Sequence, residues 1–145
     1  MKWLSLVLVL VVSIIQNCYA NSLVIVVSAN SKVNQLSQND VEQIFLDKAE
    51  FFPDGETAVP VNYAESSAAF PLRDIFQKKV LGKSSNQIRA YWSRLVFTGT
   101  GKLPREVFST RDLSQILSST PGAIGYIDEG LFDKQTMKIV YKMEN

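Results

Sequence analysis

The 145 residues of the sequence include no histidine and a single cysteine, Cys18. Without histidine the chain lacks the commonest general base, every Ser-His-Asp or Cys-His arrangement, and the usual ligand of zinc sites. A nucleophilic hydroxyl at Ser66 or Ser67 would need a lysine or carboxylate base, and no S-x-x-K spacing occurs at these serines. The composition therefore predicts that the protein is not an enzyme.

The acidic residues and the glycines do not form the patterns of known metal or phosphate sites. No D-x-D-x-D-G calcium loop occurs, and the adjacent acids Asp128 and Glu129 are expected in a solvated turn. The TGTG stretch at residues 98–101 lacks both the G-x-G-x-x-G spacing and the Gly-Lys-Ser/Thr ending of phosphate-binding loops. The sequence predicts no metal site and no cofactor, and it predicts an ordinary loop at 98–101.

The first twenty residues have the features of a secretory signal peptide. Lys2 gives a positive start, LVLVLVVSII (residues 6–15) is apolar but short for a membrane span, and Cys18 and Ala20 offer small residues at a cleavage site. Cleavage after Ala20 would leave 125 of the 145 residues, enough for one compact domain. We expect a signal peptide at 1–20 and a single domain at 21–145, in the periplasm or secreted. An uncleaved N-terminal anchor is the alternative.

The charge of the chain is nearly balanced, with 15 basic and 14 acidic residues and no long basic run. Cleavage would remove Lys2 and make the two numbers equal. Proteins that bind nucleic acid or anionic membranes usually carry a basic patch or stripe. We therefore expect neither nucleic acid as a partner nor, after signal cleavage, a stable membrane span.

Hydrophobic periodicity predicts alternating strands and helices in the rest of the chain. LVIVV (residues 23–27) suits a strand buried on both faces, as in a parallel sheet covered by helices. The capping-box patterns SQND (37–40) and SSNQ (84–87) mark two helix starts. The predicted elements are, in order, a strand at 23–27, a helix from 37, a strand at 58–63, helices at 72–80, from 84 and from 109, a strand at TPGAIGYI and a strand at 137–143. This order predicts a single α/β domain with a mixed sheet.

Two of the predicted helices have apolar stripes that indicate which faces are buried. The first stripe consists of Leu72, Ile75, Phe76 and Val80, and the second of Ile88, Tyr91, Trp92, Leu95 and Val96. We expect Trp92 to lie buried against the sheet, packed by Ile88 and Leu95. On that stripe a core role for the tryptophan is favoured over a role as a ligand platform.

The stretch TPGAIGYI, residues 120–127, contains two glycines whose backbone freedom costs folding entropy. Pro121 and Gly122 could simply end a helix and turn the chain into a strand. Alternatively, Gly122 and Gly125 are needed for their small size or for a positive φ angle. Spacing alone leaves both interpretations open.

Four stretches occur in the order of one known pattern: VVSANSKVNQLSQNDVEQIFLDK, FFPDGETAVPVNYAESSAAFPLRDIFQKKVLG, YWSRLVFTGTGKLPREVFST and TPGAIGYID. Together, over about residues 22–128, they resemble one lobe of the periplasmic phosphate-binding proteins of ABC transporters, which have the type 2 periplasmic binding fold. The resemblance implies a single three-layer α/β lobe with a mixed β-sheet. It also implies that TPGAIGY leads the chain from a helix into a strand that returns toward the ligand cleft.

The resemblance places a ligand loop at residues 62–68. In the family this loop reads arginine, a short spacer, and serine-glycine-threonine at a helix N-terminus, where amide groups, the helix dipole and the arginine favour an anion. Here Asn62 stands at the arginine position and Ser66 matches the serine, whereas Ser67 replaces the glycine and Ala68 the threonine. The ligand-binding residues implied are therefore Asn62, Ser66, Ser67 and Ala68.

Other residues near the loop weaken the expected anion site. Glu65 adds a negative charge, and Pro71 favours a helix that begins too late to present its amide groups at Ser66. Arg73 lies one turn into the helix and could lend positive charge to the site, but a solvated Arg73 paired with Asp74 or Glu65 is favoured. The chain also has the length of one lobe, whereas the family binds phosphate between two.

The resemblance therefore implies an exported binding module that holds phosphate or another small oxyanion weakly at a degenerate site. A homodimer or a protein partner could supply the missing lobe. The alternative is an accessory or interaction protein of an envelope complex that kept the fold and lost the ligand.

Overall fold

Residues 22–144, the part of the chain that the computed structural model describes, form five strands and four helices. The strands are β1 (Leu23–Ser28), β2 (Val59–Tyr63), β3 (Arg105–Val107), β4 (Ala123–Asp128) and β5 (Met137–Lys142), and the helices are α1 (Gln38–Phe45), α2 (Phe70–Lys79), α3 (Ser85–Phe97) and α4 (Thr110–Ser119). A 3-10 turn at Glu129–Leu131 follows β4, where the acidic pair was expected in a turn. The predicted signal peptide lies outside the described residues. Between residues 22 and 144, no helix is both long and apolar enough to span a membrane.

The strands form one mixed sheet in the order β3-β2-β4-β1-β5. β2 pairs in parallel with β3 and β4, whereas β1 pairs antiparallel with β4 and β5. Residues 23–27 of β1 are all buried, as the apolar run predicted. β1 itself is antiparallel to both of its neighbours, and an antiparallel strand covered by helices on both faces needs the same continuous apolar run as a parallel one. The predicted mixed sheet is confirmed.

Alternation along β4 directs neighbouring residues to opposite faces of the sheet. The ring of Tyr126 lies 6.0 Å from that of Phe45 in α1 and stacks on that of Phe76 in α2 at 4.0 Å between centroids. Gly125 faces α4, where a Cβ atom would lie 2.5 Å from Cδ1 of Leu113. Helices thus cover both faces of the sheet, which confirms the predicted three-layer α/β fold.

Close packing explains both glycines of TPGAIGYI. Gly122 has φ +77°, and a Cβ atom there would lie 1.9 Å from the carbonyl oxygen of Thr57. The Gly122 carbonyl accepts the Val59 N–H at 2.8 Å, next to the first paired residues of β2 and β4. The stretch does end a helix and open a strand, and its glycines also let neighbouring groups approach closely.

The sequence did not predict β3, the strand at the edge of the sheet. It has three residues, of which Arg105 and Glu106 are exposed and Val107 is buried. One buried residue leaves no apolar alternation to detect. The observed order therefore gains a strand between α3 and α4.

Trp92 packs against the core but is half-buried, so the predicted full burial is wrong. Ile88 is the only residue of α3 that is buried, while Leu95 is half-buried and Phe97 is 92% exposed. The Trp92 ring instead meets the edge of Tyr91, with centroids 5.3 Å apart. Ile88, Tyr91 and Trp92 of the predicted stripe do contact the core, but α3 lies at its margin.

Candidate functional site

The predicted ligand loop lies at the carboxyl edge of the parallel strands. β2 ends at Tyr63, residues 64–69 lead into α2, and residues 108–109 lead from β3 into α4. The Ala64 N–H donates to the Val107 carbonyl at 2.8 Å and ties the two strand ends together. Ligands of open α/β sheets bind outside the carboxyl ends of the strands. The fold therefore places this loop where such sheets hold their ligands.

Asn62, at the position of the family's arginine, is hydrogen-bonded within the fold. Its Oδ1 atom accepts the Tyr126 hydroxyl and the Tyr63 N–H, the latter at 3.0 Å. Tyr126 is fully buried, and burial raises the pKa of its hydroxyl far above the usual range. Because a buried phenol needs a hydrogen-bond partner, the amide oxygen of Asn62 is occupied by a hydrogen bond within the fold.

The other three predicted ligand-binding residues, Ser66, Ser67 and Ala68, differ in exposure. Ser66 and Ala68 are exposed, whereas Ser67 is buried. The Ser67 hydroxyl donates to the Phe108 carbonyl at 2.7 Å and accepts the Ala69 N–H at 3.0 Å. The structure therefore leaves Ser66 and Ala68 at the surface of the loop and uses Ser67 to join it to the end of β3.

Three amide groups of the loop before α2 have no partner among the described residues. The N–H groups of Glu65, Ser66 and Ala68 donate to no other residue within 22–144. The helix itself begins at Phe70, whose N–H donates to the Ser67 carbonyl at 3.0 Å, and Pro71 has no N–H to offer. The helix therefore begins too late to present its own amide groups at Ser66, as expected from Pro71, and the free donors are those of the loop.

Arg73 is buried, and its expected pairing with Asp74 or Glu65 is wrong. Its Nη1 donates to the Tyr63 carbonyl at 2.6 Å and lies 3.4 Å from Oε1 of Glu106. Asp74 instead pairs with Lys78 at 2.7 Å, and that hydrogen bond lowers the pKa of the Asp74 carboxyl. Glu65 pairs with Arg89 at 3.3 Å. A cation that sequence reasoning placed in solvent thus lies inside the candidate site.

The orientation of α2 explains why Arg73 is buried rather than solvated. The buried residues of the helix are Arg73, Phe76 and Gln77, whereas Ile75 of the predicted apolar stripe is 41% exposed. The buried face is therefore rotated away from the stripe, and two of its members are polar. The spacing of Arg73 with Phe76 and Gln77 was the available signal, but polar side chains on a helix are normally assigned to solvent.

A second tyrosine, Tyr63, is buried beside Tyr126. Burial raises the pKa of Tyr63, and the hydrogen bond of its hydroxyl with Thr110 at 3.3 Å partly offsets that rise. The Tyr63 ring meets the edge of Tyr126 with centroids 5.4 Å apart. Both phenols are therefore neutral hydrogen-bonding groups. Among residues 22–144, no three His, Cys, Asp or Glu side chains come together as a metal site.

Comparison with protein-family models and with curated proteins gives no match to the chain. Solved structures do match. An ABC-type phosphate transport receptor from Vibrio cholerae superposes with a TM-score of 0.61 at 16% identity, over 82% of this chain and 45% of the receptor. A Clostridium perfringens protein, assigned to the phosphate ABC transporter substrate-binding proteins and solved with bound phosphate, superposes with a TM-score of 0.62 at 17% identity, over 82% of this chain and 44% of its own.

A third solved structure aligns over the same share of this chain. PstS from Borrelia burgdorferi superposes with a TM-score of 0.53 at 16% identity, over 82% of this chain and 46% of PstS. The chain thus spans less than half the length of each of these proteins. The similarity in structure confirms the fold that the sequence motifs implied: this chain has the fold of one lobe of the phosphate substrate-binding proteins.

Proposed function

We propose that this chain is an exported single-lobe binding module, related to the phosphate substrate-binding proteins, that holds phosphate or another small oxyanion weakly. The loop before α2 carries the proposal, because Ser66 and Ala68 are exposed residues whose N–H groups donate to no described residue. The neighbours in structure support the ligand class, since one of them was solved with bound phosphate.

The site accounts for weak rather than tight binding. A helix N-terminus contributes only about 0.3–1 kcal/mol to an anion at an exposed position. Asn62 and Ser67, which the resemblance implies as ligands, already hydrogen-bond to Tyr126 and Phe108. With amide groups and Ser66 as the remaining donors, we expect a dissociation constant in the millimolar range, about −4 kcal/mol.

Calorimetric titration of the exported protein with phosphate, sulfate and a nucleotide at low salt tests this function. We expect millimolar binding of the inorganic anions, weakened about twofold to fivefold by Ser66→Ala, because one exposed hydroxyl donor is worth about 0.5–1 kcal/mol. Ser93→Ala, an exposed serine on α3, is the matched control and should leave binding unchanged. Absence of any anion binding by the wild-type protein would contradict the proposal.

An accessory or interaction protein of an envelope complex is the second candidate. The internal hydrogen bonds of Asn62 and Ser67 favour it, because they stabilise the fold without a ligand. A homodimer or a protein partner that supplies the second lobe is compatible with either function. A micromolar dissociation constant for phosphate, measured only at protein concentrations where the chain self-associates, would favour a completed cleft.

A further inference from the structure

Arg73 is a buried cation with few partners. Its side chain is 10% exposed, Nη1 bonds to the Tyr63 carbonyl, and Nε is buried without a hydrogen-bond partner among the described residues. A buried guanidinium is costly to the fold unless its charge and its N–H groups are satisfied. The short bond to one carbonyl and the single 3.4 Å contact with the Glu106 carboxylate leave Nε without a partner.

Arg73 lies next to the loop whose amide groups have no partners. It occupies the first turns of α2, and helical side chains tilt toward the N-terminus, which brings its guanidinium to the last carbonyl of β2. Glu106 in β3 is the register partner of Asn62 in β2. The guanidinium therefore lies between the start of α2 and the ends of β2 and β3, beside the position where the resembling family has its arginine.

The contact between Arg73 and Glu106 is loose. A single pair of atoms approaches to 3.4 Å, and the Glu106 side chain is 54% exposed. Strong arginine–carboxylate pairs are bidentate and shorter, and an exposed carboxylate gains little from a single long contact. A small oxyanion with several oxygens could receive parallel N–H donors from the same guanidinium, and it would replace the carboxylate at little cost.

We propose that Arg73 is the cation of an oxyanion site and that the Glu106 carboxylate competes with the anion for it. This inference rests on the proposed function, whose site it completes. The ligand class is a small inorganic oxyanion such as phosphate or sulfate, held by the Arg73 guanidinium and the amide groups of Ser66 and Ala68. Glu106 must move away when the anion binds, and this displacement lowers the affinity of the site.

The test is titration of the exported protein with phosphate and sulfate at low salt, comparing wild type with Glu106→Gln. Removal of the competing charge should tighten binding about fivefold to tenfold, as expected for a like charge at a partly exposed site. Glu129→Gln is the matched control, because Glu129 also pairs with a cation, Lys142, at 2.9 Å and its change alters the net charge equally. The control should change affinity less than twofold.

A second variant tests the arginine itself. Arg73→Lys in the Glu106→Gln background keeps the positive charge but removes the planar fork, and should return the affinity to the wild-type level or below. Circular dichroism must show that the double variant is folded. If Glu106→Gln binds no better than Glu129→Gln while Ser66→Ala still weakens binding, the competition is wrong and the proposed function stands. If only Glu106→Gln binds anions, the competition holds and anion binding is not the function of the wild-type chain.

Discussion

Gly122 and Gly125 restrict the fold in different ways, although only two residues separate them. At Gly122 the obstacle to a side chain is backbone, the Thr57 carbonyl at 1.9 Å, and φ is +77°. At Gly125 the obstacle is the end of the Leu113 side chain at 2.5 Å. Because a side chain can change its rotamer and a paired backbone cannot, the requirement for glycine is stricter at Gly122.

Gly122→Ala should therefore lower the free energy of unfolding by about 2–5 kcal/mol, from about 1–2 for the left-handed backbone and about 1–3 for the steric clash. Gly82→Ala is the matched control, because Gly82 has φ +64° and no atom within 4 Å of a built Cβ. It should lose only the backbone contribution. Urea unfolding followed by circular dichroism measures both, and equal losses would show that the Thr57 contact does not matter.

At the residue scale, the sequence predicted the position of the loop but not its hydrogen bonds. Motif order placed Asn62 and Ser67 in a loop that leads into a helix, and the loop lies there. The partners that bind their side chains are distant in sequence: Tyr126 is 64 residues from Asn62, and Phe108 is 41 residues from Ser67. Local patterns carry no information on such pairs, so the internal role of these two residues could not be predicted.

The helices differ in how firmly they are held on the sheet. α2 places Phe76 fully buried between Phe45 and Tyr126, with ring centroids at 4.8 and 4.0 Å. α3 contributes one buried residue, Ile88, and is held in addition by the Tyr91 hydroxyl, which donates to the Leu46 carbonyl at 2.6 Å. α2 is thus part of the core, and α3 is attached at its margin.

We therefore expect Phe76→Ala to cost about 3–5 kcal/mol of stability, the range for a fully buried aromatic residue. Trp92→Ala should cost about half as much, roughly 1.5–2.5 kcal/mol, because its side chain is already half in solvent. Guanidinium unfolding of the two variants gives the comparison. A larger loss for Trp92 than for Phe76 would mean that α3 is packed more deeply than this structure places it.

Helix starts were predictable because their signals are local. The boxes at Ser37 with Asp40 and at Ser84 with Gln87 both form, each with reciprocal side-chain and backbone hydrogen bonds. β3 was missed because its pairing with β2 at Val61–Tyr63, rather than its own three residues, makes it a strand. The rotation of α2 was missed because burial of Arg73 depends on the Tyr63 carbonyl, which belongs to another element.

For the whole molecule, alternating element types and ordered motifs were sufficient to predict the fold class. The sheet and its two helical layers bury a continuous core that includes residues of all five strands. The matched structures are longer, since the aligned part covers 44–46% of their length. The core of this fold therefore forms without the additional length of the matched structures.

All five described strands lie C-terminal to the predicted cleavage site after Ala20, since β1 starts at Leu23. A chain processed there should keep the whole sheet.

We expect the protein recovered from the envelope fraction to begin at Asn21 and to unfold in one cooperative transition, because a single core holds all five strands. Intact-mass spectrometry checks the N-terminus, and circular dichroism during heating checks the transition. Ala20→Arg is the control, since a large charged residue at the last position before cleavage should block processing and leave residues 1–20 attached. Wild-type protein that keeps these residues in the envelope would support the uncleaved anchor instead, and full-length protein in the cytoplasm would contradict export.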